Sequence, residues 1–235
     1  MNNDLRDQTQ FIKAQQSTVG IFMQQVYLWM TAALGITGLV AYFTANSPVI
    51  LSLFSNVLMV ILMIVVIFGL VIYLRSAIHK LSAGTATGLL LLYAAFMGIL
   101  LGPTLLFYTT ATVARAFFIS AGMFGGMSVF GMITKRDLSG LGSFLIMGLF
   151  GLIIAMVVNI FLRSSGLDWG ISVIGVLIFT GLTAYDTQRL KEMGESAPLD
   201  DGLAIRRGAI LGALTLYLDF INLFLMLLRL LGNRD

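Results

Sequence analysis

Seven apolar stretches, each long enough to cross a lipid bilayer, limit the folds open to this chain more than any other feature. They cover residues 21–45, 49–74, 84–106, 110–134, 141–162, 169–190 and 208–231. About 20 apolar residues in a helix match the hydrocarbon core of a membrane. In lipid the backbone must satisfy its own hydrogen bonds, which favours helices over open strands. None of the seven stretches alternates in the manner of a strand. The expected fold is all-α, a polytopic membrane protein built as a seven-transmembrane-helix bundle. A polar segment, residues 1–20, precedes a transmembrane domain of residues 21–235.

Composition agrees. The chain is 58% hydrophobic and 11% charged, where soluble domains carry about 25% charged residues. Cysteine is absent and histidine occurs once, as His79. Disulfides and thiolate metal sites are excluded, and a Ser-His-Asp triad has almost nothing to draw on. A net charge of +3 is too small to point to nucleic acid. Asp4, Arg6, Asp7 and Lys13 interrupt the start of the chain. No secretory signal pattern is present there, so the first span is expected to act as its own insertion signal.

Lysine and arginine set orientation. With the N-terminus cytoplasmic, the inner side holds Arg6, Lys13, Arg75, Lys80, Lys135, Arg136, Arg189, Lys191, Arg206 and Arg207. The outer side holds Arg115, Arg163, Arg229 and Arg234, so the division is ten to four. Seven spans then leave the C-terminus periplasmic. Between spans lie Asn46-Ser47-Pro48, Gly102-Pro103, Lys135-Arg136-Asp137 and Arg163-Ser164-Ser165-Gly166. The longest connection, residues 191–207, includes Pro198 and Asp200-Asp201-Gly202. It lacks the spacing of an EF-hand loop. Gly84 with Gly88, and Gly122 with Gly126, have a spacing that suits close helix packing within the bundle.

Charges inside membrane spans are rare because each costs about 2.5–3.5 kcal/mol on insertion scales. Asp186 lies near the inner end of the sixth span and Asp219 in the middle of the seventh. Asn222 and Thr215 lie within one turn of Asp219 and supply a polar face. On this pattern the seventh span turns Asp219 inward and an aliphatic face outward. A carboxyl kept from water favours its neutral form, and two carboxyls in one site share a proton. For the two to meet, the sixth helix must continue past Leu190. Arg75, at the inner end of the second span, is the candidate cationic partner. Its alternative reading is a snorkelling residue that sets topology. Asp186 could instead pair with Arg189 or Lys191 at the membrane surface. His79 is read as a solvated loop residue and Asn159 as an interhelical hydrogen-bonding group.

Two segments carry a family resemblance. Gly181-Leu-Thr-Ala-Tyr-Asp-Thr-Gln-Arg-Leu190 and Leu214-Thr-Leu-Tyr-Leu-Asp-Phe-Ile-Asn-Leu-Phe224 resemble the signature segments of the Bax inhibitor-1 family. The likeness extends from about Val26 to the end and is strongest to bacterial inner-membrane members. It implies seven helices with a central C-terminal helix and a pH-sensitive calcium leak. It further implies an aspartate pair that shares a proton, falling on Asp186 and Asp219, and an arginine latch, falling on Arg75. Calcium at Asp186 and Asp219 would be transient, with no resident cofactor. The second span here contains no acidic residue between Val57 and Leu74, which departs from conducting members.

Two other functions stay open. The chain could be a non-conducting interaction protein that regulates a membrane protease or other membrane complex, recruited through residues 1–20. An intramembrane aspartyl protease also uses two membrane aspartates, but its Gly-x-Gly-Asp pattern is missing. No catalytic residue is assigned. The expected partners are the lipid bilayer, calcium ion or a membrane protein, and no nucleic acid.

Overall fold

The computed structural model describes residues 2–197 and 201–232, with side chains from residue 17 onward and that of Gln15. Met1, Pro198, Asp200 and Arg234 lie outside the described residues, as do the side chains of Asp4, Arg6, Asp7 and Lys13. The helices are α1 (Asn2–Ala45), α2 (Pro48–Ser52), α3 (Val57–Ala77), α4 (Ala83–Leu105), α5 (Thr110–Ile133), α6 (Ser139–Leu162), α7 (Ser165–Glu195) and α8 (Gly202–Leu231). Seven of them, all except the short α2, are long and apolar enough to cross a membrane. Among the described residues there is no strand. The chain is an all-α polytopic membrane protein.

Two span limits differ from the sequence reading. The stretch from 49 to 74 is not one helix. Its first part folds as α2 and a 3-10 turn, Leu53–Ser55, and the spanning helix α3 starts at Val57. The cause is local. The Ser52 and Ser55 hydroxyls donate to carbonyls three residues back, and the Asn56 side chain accepts from Leu58 N at 3.0 Å. Such bonds compete with a continuous helical ladder and favour a new N-terminus. The sixth span does continue past Leu190, to Glu195. The polar start of the chain is helical and continuous with the first span.

The chain divides into two compact units. The first contains α1 to α4 with residues 190–214, and the second contains α5, α6, α7 to Arg189 and α8 from Thr215. In the first, α1 and α4 approach closely at glycine. A Cβ on Gly98 would lie 2.7 Å from the Thr37 carbonyl oxygen, and one on Gly102 would lie 2.6 Å from Thr44. The buried Thr37 hydroxyl donates across to Ala94 O at 2.9 Å. Pro103 falls in the last turn of α4, which ends two residues later. Arg207 Nε donates to Leu81 O at 2.7 Å and holds the α3–α4 connection. His79, in that connection, is exposed.

The glycines singled out by spacing are not the packing points. No atom lies within 4 Å of a Cβ on Gly88, Gly122 or Gly126, and only the neighbouring Ser82 hydroxyl approaches Gly84. Close approach falls instead on Gly131, Gly142, Gly175 and Gly181 of the second unit. Spacing marks where a backbone could approach and carries no information about which helix face has a neighbour.

Asn159 also departs from its expected role. Its side chain accepts from Ser164 N at 3.0 Å and its carbonyl from Arg163 N at 2.8 Å. It closes the end of its own helix rather than bridging to another. Arg163 follows in the left-handed region at φ 50°, where an L-residue costs about 1–2 kcal/mol and glycine is the usual choice. Arg163→Gly should therefore stabilise the protein by about 1 kcal/mol, read as a higher melting temperature in detergent.

Candidate functional site

Asp219 sits on the most buried helix of the chain. Within its most apolar stretch 72% of α8 is buried, against 11% for α3 and α6. This corrects the expectation of an outward aliphatic face. Leu214, Leu216 and Leu223 are wholly buried, at 0% exposure. A helix that is apolar all round belongs in an interior. The half-open stripe of α8 instead runs through Thr215, Leu218, Asn222 and Leu225. Asp219 is 6% exposed and flanks that stripe. The two residues expected to support it are therefore less buried than it is. Asn222 Nδ2 is turned back to Leu218 O at 2.8 Å.

Next to Asp219, Phe220 stands edge-on to both Phe117 and Phe124 of α5, with ring centroids 5.7 and 5.6 Å away. Three aromatic rings in this arrangement fix the rotation of α8 about its axis. The acid is held at one azimuth by its neighbour in sequence.

The α7 turn that carries Asp186 is gripped from two sides. On α5, Gly131 lies so close to the Ala184 carbonyl and the Thr187 side chain that no Cβ would fit. On α6, a Cβ on Gly142 would lie 2.5 Å from the Tyr185 ring. Thr187 is wholly buried and donates weakly to Ser128 Oγ at 3.5 Å. Asp186 itself is half-buried.

Helix register relates the two acids. Met226 fills the space beside Gly175 and Arg229 reaches Asp168, so α7 and α8 run antiparallel with Gly175 and Met226 about level. Counting along both helices from that contact, Asp186 lies level with Thr215 and Asp219 with Leu182. The offset is one helical turn, four residues or about 6 Å. Asp186, Asp219 and Thr215 are each engaged in polar or electrostatic contacts. At the far end of the same helix pair, Asp168 and Arg229 form a partly exposed ion pair at 3.8 Å. Such a pair adds little stability in water. Arg75 belongs to the other compact unit. It is exposed and is engaged in a polar or electrostatic contact.

Gln188 was missed by sequence reasoning. It is 8% exposed, its Oε1 accepts from Leu138 N and its Nε2 donates to Arg136 O, both at 2.8 Å. A glutamine beside Arg189 near a helix end reads as a surface residue. Only its place within the Tyr-Asp-Thr-Gln run gave any signal. The connection it holds is ordered in other ways as well. Arg136 N donates to Thr134 Oγ1, and Ser139 N donates to Asp137 Oδ1 at 2.8 Å. The Ser139 hydroxyl, with its amide, holds the Asp137 carboxyl below the usual carboxylate range. A lowered folded value means this cap is intact at neutral pH and lost only as acidification passes that value. Asp137 is thus no neutral-pH sensor. Among the described residues, no three or more metal-ligating side chains cluster.

Seven apolar helices long enough to cross a membrane, one of them carrying a buried acid, define an integral membrane protein with an ionisable group inside a span. The chain belongs to the Bax inhibitor-1 family, whose profile, described as "Inhibitor of apoptosis-promoting Bax1", matches residues 19–235. It is 51% identical to the inner membrane protein YbhL of Escherichia coli K12, over 91% of this chain and 92% of that one. An uncharacterized protein of Borreliella burgdorferi is 47% identical over 91% of this chain and 92% of its own length. One from Deinococcus radiodurans is 42% identical over 98% and 100%.

Proposed function

We propose that this protein is a pH-sensitive cation leak of the bacterial inner membrane, passing calcium and gated by Asp186 and Asp219. The observation that carries the reading is the burial of Asp219, at 6% exposure, in the most buried span. A membrane acid carries a standing insertion cost, and such residues mark ion or proton pathways. With one proton shared between the two carboxyls the site carries a single negative charge, the two groups hydrogen-bond to each other, and the bundle closes. Without it, two negative charges repel each other and attract a hard divalent ion. Calcium takes 6–8 oxygen ligands, so two carboxylates with Thr215 and water would hold it weakly enough to pass. The resemblance alone gives Arg75 the role of counter-ion in the closed state. The lysine and arginine bias supports a cytoplasmic N-terminus and a periplasmic C-terminus. No covalent chemistry is assigned to the pair.

The test is calcium entry into liposomes that contain the purified protein and an entrapped calcium dye. Entry should exceed that of protein-free liposomes and rise as the pH is raised through neutrality. Entry equal to that of empty liposomes at every pH would end the leak reading.

A second reading, a regulator of a membrane protease or other membrane complex, draws on one observation. Helix α1 begins at Asn2, well ahead of the apolar run that starts at Ile21, and this polar extension is an element for a partner to grip. Deleting the polar segment through residue 20 should abolish partner capture under this reading and leave ion flux intact under the first.

A further inference from the structure

Gln188 links two parts of the second unit that the backbone leaves separate. Its amide group is buried, and both halves of it are used on the α5–α6 connection. Leu138 caps α6 without a side-chain acceptor of its own. Gln188 supplies, from another helix, the acceptor for the Leu138 amide, while Asp137 accepts from the Ser139 amide beside it. The same α7 turn meets α5 at Gly131 and α6 at Gly142, where an added Cβ would find no room.

We infer that Gln188 is a positioning residue, a clasp that makes the α7 turn bearing Asp186 move only together with the α5–α6 connection. This deepens the proposed leak and rests on it for its functional consequence. A buried amide that gives up two good hydrogen bonds without replacements pays their full desolvation. The turn is thus held in one position until the connection moves with it. The clasp is neutral and acts through Asp186 without touching an ion.

The chain has no cysteine, so Leu138→Cys introduces a single reporter at a position only 7% exposed. Its maleimide labelling is measured in proteoliposomes with Gln188 intact, with Gln188→Met and with Gln188→Glu. Methionine keeps length and loses both hydrogen bonds. Glutamate keeps an acceptor for the residue 138 amide and loses the donor to Arg136. Labelling should be slow with Gln188, about tenfold faster with Gln188→Glu, as for a local opening eased by one hydrogen bond, and faster still with Gln188→Met, which loses two. In the cysteine-free background, calcium entry through Gln188→Met should rise several-fold under conditions where the native protein is closed.

Equal labelling rates in all three proteins would overturn the clasp. So would faster labelling in Gln188→Met with calcium entry unchanged in a protein that conducts. The labelling comparison needs no ion flux. A native protein that fails to conduct would therefore sink the leak while the labelling rates still decide whether Gln188 holds the connection.

Discussion

Replacing both Asp186 and Asp219 with asparagine should flatten the pH response of calcium entry. Asparagine keeps the size and hydrogen-bonding capacity of a protonated carboxyl and cannot ionise. In the native protein, loss of one shared proton drives opening. On the closed side of the transition, the open fraction then changes about tenfold per pH unit. The double variant should remain at the low level of the protonated state throughout. Asp219→Asn alone should account for most of the loss, because Asp219 is buried and Asp186 is half-buried. The comparison is made in liposomes at equal protein content, with melting temperature confirming that the variants fold. A pH response retained in full by the double variant would remove the carboxyl pair from the mechanism.

The second large effect is structural. Gly131→Val should destabilise the protein by about 1–3 kcal/mol, the usual cost of forced overpacking. Each kcal/mol corresponds to about 2–4 °C of melting temperature for a soluble domain of this length. The added carbon meets the Ala184 carbonyl, which is backbone and cannot step aside as a flexible side chain would. To relieve the clash α5 must withdraw from α7, and the turn holding Asp186 loses one wall. The matched control is Gly122→Val on the same helix, where nothing lies within 4 Å. It should melt close to the native protein. Equal losses in the two variants would mean that α5 does not meet α7 at Gly131.

The spans were legible because hydropathy is an average over twenty residues and tolerates local error. Boundaries depend on single side chains, and there the reading slipped. Asn56 and two serines end an apolar run that hydropathy carries straight through. The two aspartates stood out because charge in hydrocarbon is costly and has no bland surface alternative at Asp219. The orientation of α8 was not legible. A helix of leucines with one polar stripe looks lipid-facing, and only the burial of most of its positions reveals it as an interior helix. Gly131 and Gly142 were missed for a related reason. Their role depends on Ala184 and Tyr185, more than forty residues away in sequence. Gln188 illustrates the same limit, since its partners are carried by a different helix connection.

The switch depends on the charge state of one side chain, and infrared spectroscopy reads that state directly. Difference spectra of the membrane-reconstituted protein across the neutral pH range should show a protonated carboxyl band. The band should be greatly reduced in Asp219→Asn and fade over the same interval in which calcium entry rises. A band unaltered by Asp219→Asn, or one that does not change while flux does, would contradict a proton held at Asp219 as the gate.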